Sequence, residues 1–115
     1  MLENSQIWPE YNNSMAVLCI LSGEGFTKEH YEKIKKEVDW EHTKPKGEIF
    51  HAIGFGNSGN YHVVDIWESE QDFNNFITNK IKPAYDKINA PVPKGEVVPL
   101  HNANAFQALD SYRVK

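Results

Sequence analysis

Met15-Ala16-Val17-Leu18-Cys19-Ile20-Leu21 is an unbroken apolar run between polar segments. It is far shorter than the roughly 20 residues a membrane helix needs. As a strand it points apolar side chains to both faces of a sheet, because successive side chains alternate. Such a strand is stable only if both faces are covered, so the run predicts a central strand with something packed on each side. The sole cysteine, Cys19, lies within this run, which excludes an internal disulfide and predicts a buried, structural thiol.

The rest of the chain supplies the partners for that strand. Ser22-Gly23-Glu24-Gly25 ends it, and Thr27 is placed to cap a helix from about Lys28 on which Tyr31, Ile34 and Val38 recur at helical spacing. Glu29/Lys33 and Glu32/Lys36 make the opposite side a solvated face. Glu48 to Phe55 and Tyr61 to Trp67 are rich in β-branched and aromatic residues and flank Gly56-Asn57-Ser58-Gly59-Asn60, the composition of a hairpin. Ser69 then caps a second helix with an apolar face of Phe73, Phe76, Ile77, Ile81, Ala84, Tyr85 and Ile88. Pro83 inside that helix predicts a bend or break near Asn79. Glu96-Val97-Val98-Pro99-Leu100 reads as a last strand, confined to an edge by Pro99.

The order is β-α-β-β-α-β, the α+β ferredoxin-like pattern that sets both helices on one face of a four-stranded sheet. The other face would carry more apolar surface than a monomer exposes, so a second copy is expected to cover it, each chain forming half of a dimeric α/β barrel. The domain is expected over residues 15–102, with an N-terminal extension at 1–14 and a tail at 103–115. At 115 residues one domain is expected. A net charge of -4 argues against a nucleic-acid partner, which would call for a surplus of Lys and Arg. With no membrane span and no secretory leader in the sequence, a cytoplasmic protein is expected.

Three segments, Met15-Ala16-Val17-Leu18, Val63-Val64-Asp65-Ile66-Trp67-Glu68-Ser69-Glu70 and Pro99-Leu100-His101-Asn102, resemble small domains of the antibiotic-biosynthesis-monooxygenase type. The resemblance covers roughly Met15 to Asn102. It implies a cavity between sheet and helices, and relatives that include cofactor-free oxygenases on polyketide quinols, quinol oxidases, haem-degrading enzymes and isomerases. The haem-degrading branch takes its iron-ligating His from the second helix and an Asn from the first strand. Ser69 to Asn89 contains no His and Met15 to Leu21 no Asn, so haem chemistry is not expected.

Among the five histidines, His30, His42, His51, His62 and His101, none shows a metal-ligand spacing, and no metal is expected. His51 and Asp65 stand out because each is a polar group in mid-strand, where burial without a partner is costly. A three-residue turn, Asn57-Ser58-Gly59, pairs Gly56 with Asn60, and counting back from there sets Phe55 against Tyr61, Ile53 against Val63, His51 against Asp65 and Ile49 against Trp67, these four pairs all on one face. A two- or four-residue turn sends Asp65 to the opposite face.

The pair is the candidate proton acceptor, His51 supported by Asp65, or else a buried structural pair. Trp67, Trp40, Tyr31 and His101 are the candidate ligand contacts, with plain packing the alternative for the tryptophans and a sheet-end role the alternative for His101. Two functions stand side by side. One is a cofactor-independent oxygenase or related enzyme on a small aromatic or quinol-like molecule, needing no flavin or metal because the substrate anion itself passes an electron to oxygen. The other is a non-catalytic homodimer that binds a small apolar ligand or stabilises an assembly.

Overall fold

The computed structural model describes residues 15–39 and 42–114. Four strands, β1 (Val17–Glu24), β2 (Glu48–Phe55), β3 (Asn60–Trp67) and β4 (Lys94–Pro99), form one antiparallel sheet in the order β2-β3-β1-β4. Helix α1 (Lys28–Val38) follows β1, and helices α2 (Glu70–Phe76) and α3 (Lys82–Lys87) lie between β3 and β4. This is the expected α+β ferredoxin-like order. The apolar run enters β1, an inner strand, and the Pro-containing strand lies at an edge.

Helix starts follow the capping chemistry. The Thr27 side chain accepts from the His30 N–H at 3.1 Å while His30 Nδ1 accepts from the Thr27 N–H, a reciprocal cap in which histidine replaces the usual Glu or Gln. Ser69 accepts from the Asp72 N–H at 3.0 Å. The Pro83 disruption takes a specific form. Ile77–Ile81 is a π-helical turn, with the Lys82 N–H reaching back to the Ile77 carbonyl, and it joins α2 to α3 without ending the helix. Widening the turn relieves the crowding that a proline imposes on the carbonyl four residues earlier, so the apolar stripe continues across it.

The β2–β3 hairpin has the three-residue turn. Gly56 donates to the Asn60 carbonyl at 2.8 Å, and Gly59 adopts φ +85, the left-handed conformation that glycine takes without a Cβ clash. Phe55 therefore faces Tyr61, Ile53 faces Val63 and His51 faces Asp65. The register changes one step further along. A β-bulge between Glu48 and Phe50 sets Glu48, not Ile49, opposite Trp67. Ile49 is turned out and 56% exposed, whereas Glu48 is buried. The expected Ile49–Trp67 pair is thus corrected: an extra residue in β2 shifts the parity at the bulge, and counting from the turn does not detect it.

The core lies on the helix-covered face, in two joined clusters. Phe26, Ile34, Tyr61, Val63, Ile81, Ala84 and Tyr85 fill one end; Val17, Cys19, Trp67 and Phe73 fill the other. Tyr31, Val38, Phe76 and Ile77 pack against these, so both helices present the faces their spacing predicts. The opposite face carries Leu18, Ile20, Phe50, Val64, Ile66 and Val98 by strand alternation, and Ile20 is 41% exposed. After β4 the chain runs out to a 3-10 helix, Gln107–Tyr112, with Phe106 and Tyr112 largely exposed. Among the described residues no helix is long and apolar enough to cross a membrane.

Candidate active site

His51 and Asp65 meet across the hairpin, Nδ1 2.8 Å from Oδ1, each side chain mostly buried. An ionised carboxylate only accepts, so Nδ1 carries the proton it donates and the second ring nitrogen, Nε2, is the basic one in the neutral imidazole. Nε2 lies 3.2 Å from the Tyr31 hydroxyl on α1, and the two rings are nearly parallel with centroids 6.1 Å apart. Behind the carboxylate, Trp67 donates its indole N–H to Oδ2 at 3.3 Å. One chain of hydrogen bonds therefore runs Tyr31, His51, Asp65, Trp67, from helix to the floor of the core.

Burial alone pulls the imidazole pKa down. The Asp65 hydrogen bond and charge, with the Glu48 charge added, outweigh it and hold His51 above its ordinary value of 6.5. The Tyr31 phenol is pushed up to about 12, first by burial and then by the charges of Glu32, Glu48 and Asp65, so it is neutral. Burial, reinforced by Asp65 and Glu70, likewise raises the Cys19 thiol to about 12, and with no exposed surface it is a packing group, as expected.

His51, Asp65 and Tyr31 form the polar end of a cavity of about 220 Å³ between the sheet and the helices. Its remaining wall is apolar and aromatic, including Phe26, Ile34, Val63, Ile81 and Tyr85, with Phe26 and Tyr85 stacked at 5.0 Å and 4°. Filled to the interior packing density of about 0.74, such a space takes a molecule of roughly two or three fused rings. A single polar end on an apolar sleeve orients a flat ligand with its hydroxyl toward Tyr31 and His51.

The other expected contacts fall elsewhere. Trp67 does not line the cavity: it is fully buried behind Asp65, against Phe73 and Phe76. His101 is exposed beyond the end of β4 and is not part of the cavity wall. Trp40 lies outside the described residues. One site residue was missed by sequence reasoning. The bulge turns Glu48 inward, so that donor atoms of Glu48, His51 and Asp65 all lie within 4.8 Å of one another. The only sequence signal was a carboxylate at the start of a β-rich segment.

No protein-family model matches the chain, and no curated protein matches it. Solved structures do. A protein of unknown function from Nitrosomonas europaea superposes with a TM-score of 0.61 at 13% identity, over 81% of this chain and 96% of the other. A mutant of SnoaB, a cofactor-independent oxygenase from Streptomyces nogalater, superposes with a TM-score of 0.55 at 7% identity, over 78% of this chain and 96% of the other, and an antibiotic biosynthesis monooxygenase candidate from Chloroflexus aurantiacus with a TM-score of 0.56 at 7% identity, over 78% and 97%. The chain thus has the fold of antibiotic-biosynthesis-monooxygenase domains, as its sequence resemblance implied.

Proposed function

We propose that this chain is a cofactor-independent oxygenase, or a closely related enzyme, acting on a small aromatic or quinol-like molecule held in the sheet–helix cavity. The observation that carries this reading is the His51–Asp65 pair at the polar end of a largely apolar cavity. Asp65 fixes the tautomer and orientation of the imidazole and stabilises its protonated form, the role of the third group behind a general base. The base converts a phenol or an acidic C–H into an anion inside a low-dielectric sleeve, and that anion passes an electron to O₂. For a hydroquinone the two electrons and two protons lost leave as hydrogen peroxide. For a CH₂ beside an aromatic carbonyl, one oxygen atom becomes the new carbonyl and the other leaves as water.

The working unit is a homodimer, with the sheets of two copies facing. Supporting this are the apolar open face and exposed Ile20 and Ile49, surface that soluble monomers rarely leave contiguous. The decisive experiment is oxygen uptake against a panel of anthrones and naphthohydroquinones, comparing wild type with His51→Ala. Substrate-dependent uptake that falls by about 10²-fold or more in the variant, the usual contribution of a positioned base, is the expected result. Uptake that is equal in both proteins overturns the base, and binding without uptake favours a ligand-binding protein.

A further inference from the structure

Resting on that reading, we propose that the substrate hydroxyl does not meet His51 directly but hands its proton to Tyr31, which passes its own proton on to His51. Nδ1 of the imidazole is engaged by Asp65, and its basic nitrogen, Nε2, is met by the Tyr31 hydroxyl at 3.2 Å. A ligand could reach Nε2 only by displacing that phenol. Displacement is costly on two counts. Tyr31 is held by α1, whose Ile34 is anchored in the core one turn on, and its ring lies nearly parallel to the imidazole. A half-buried phenol moved off its acceptor would also lose that hydrogen bond in a wall that, beyond His51, Asp65 and the Tyr85 phenol, is apolar.

The alternative needs no movement, because a hydroxyl both accepts and donates. A substrate O–H in the cavity donates to Tyr31 Oη, and Tyr31 donates to His51 Nε2. When the substrate O–H bond breaks, its proton joins Tyr31 Oη while the former Tyr31 proton joins Nε2. The products are a substrate anion and an imidazolium paired with Asp65, with Tyr31 neutral before and after. A phenol pushed to about 12 serves this role because it conducts a proton without resting as an anion. The proton also has an exit. Tyr31 and His51 line a second hollow on the far side, bounded by Lys35, Ala52, Leu109 and Tyr112, where the C-terminal 3-10 helix approaches the edge of the sheet. Together with Ile53, which also lines both, the two residues stand between the apolar cavity and an outer groove.

Tyr31→Phe tests the relay, since it keeps the ring and removes only the hydroxyl. Two readouts are needed: oxygen uptake with 1,4-dihydroxynaphthalene, and the ¹⁵N resonance of His51 Nε2 titrated with 1-naphthol as a phenol probe. The relay predicts that Tyr31→Phe loses rate about as severely as His51→Ala, by roughly 10²-fold, with KM changed only a few-fold. It also predicts that the Tyr31–Nε2 hydrogen bond persists when 1-naphthol is bound. A Tyr31→Phe enzyme as fast as wild type, beside an inactive His51→Ala, overturns the relay and leaves the oxygenase intact with His51 as the direct acceptor. If wild type takes up no oxygen with any panel member, the oxygenase reading falls. The relay is then decided by the resonance alone: 1-naphthol taking over Nε2, or failing to bind, overturns it.

Discussion

Trp67 stands two residues from Asp65 on the same face of β3, and its indole N–H reaches Oδ2 while the other carboxylate oxygen takes His51. A buried tryptophan is here the anchor of a carboxylate rather than a surface for ligand. Asp65 is held from both sides, so the imidazole it orients has one position available to it.

Trp67→Phe therefore costs more than packing. It leaves Asp65 Oδ2 without its buried donor, a loss of about 1–3 kcal/mol in stability by urea unfolding. The cavity wall does not include Trp67, so the affinity for 1-naphthol should change by less than a few-fold. A large loss of affinity with stability intact would return Trp67 to the role of ligand contact.

Folding stability should depend on pH through His51. Its folded pKa lies above 6.5, so the contribution of the pair is fully present below about pH 6.5 and is lost as pH rises through the raised value. The charges near the ring are Asp65 and Glu48, with Lys35 and Arg113 on the outer groove. In His51→Gln the decline in unfolding free energy across that window should disappear. A decline of unchanged size would assign it to other groups.

The turn sets the site, because the hairpin's parity brings His51 and Asp65 together. Gly59→Ala places a Cβ in the left-handed region at a cost of about 1–2 kcal/mol, read as a lowered urea midpoint with unchanged slope. A variant as stable as wild type would mean that the turn tolerates another geometry.

Light scattering at micromolar concentration should give twice the 13.2 kDa chain mass, and Ile20→Lys, on the open sheet face, should give the monomer. A wild-type monomer would remove the facing-sheet assembly.

Much of this was legible in the sequence. Helix faces followed from Tyr31, Ile34, Phe73 and Ile81 at helical spacing, and the hairpin register followed from Gly59 and the turn length. Two features resisted for local reasons. The bulge at Ile49 leaves no compositional mark, since alternation from Glu48 to Phe50 reads equally well in either parity, and so Glu48 was hidden. Pro83 announced a disruption but not its form, because a kink, a break and a π turn all relieve the same clash. Trp67 shows a limit of another kind: its burial was predictable from its type, whereas the side of Asp65 on which it would sit depended on three-dimensional packing.

The central claim, that His51 held by Asp65 is the base on which the proton lost from the substrate is finally balanced, directly or through Tyr31, is tested most directly by setting two midpoints side by side. One is the His51 pKa from NMR; the other is the midpoint of the rising limb of kcat/KM for oxygen uptake against pH. The account predicts that both lie above 6.5 in wild type and that Asp65→Asn, by removing the charge that favours the imidazolium, moves both downward together. A rate profile that keeps its midpoint while the His51 pKa falls would contradict it.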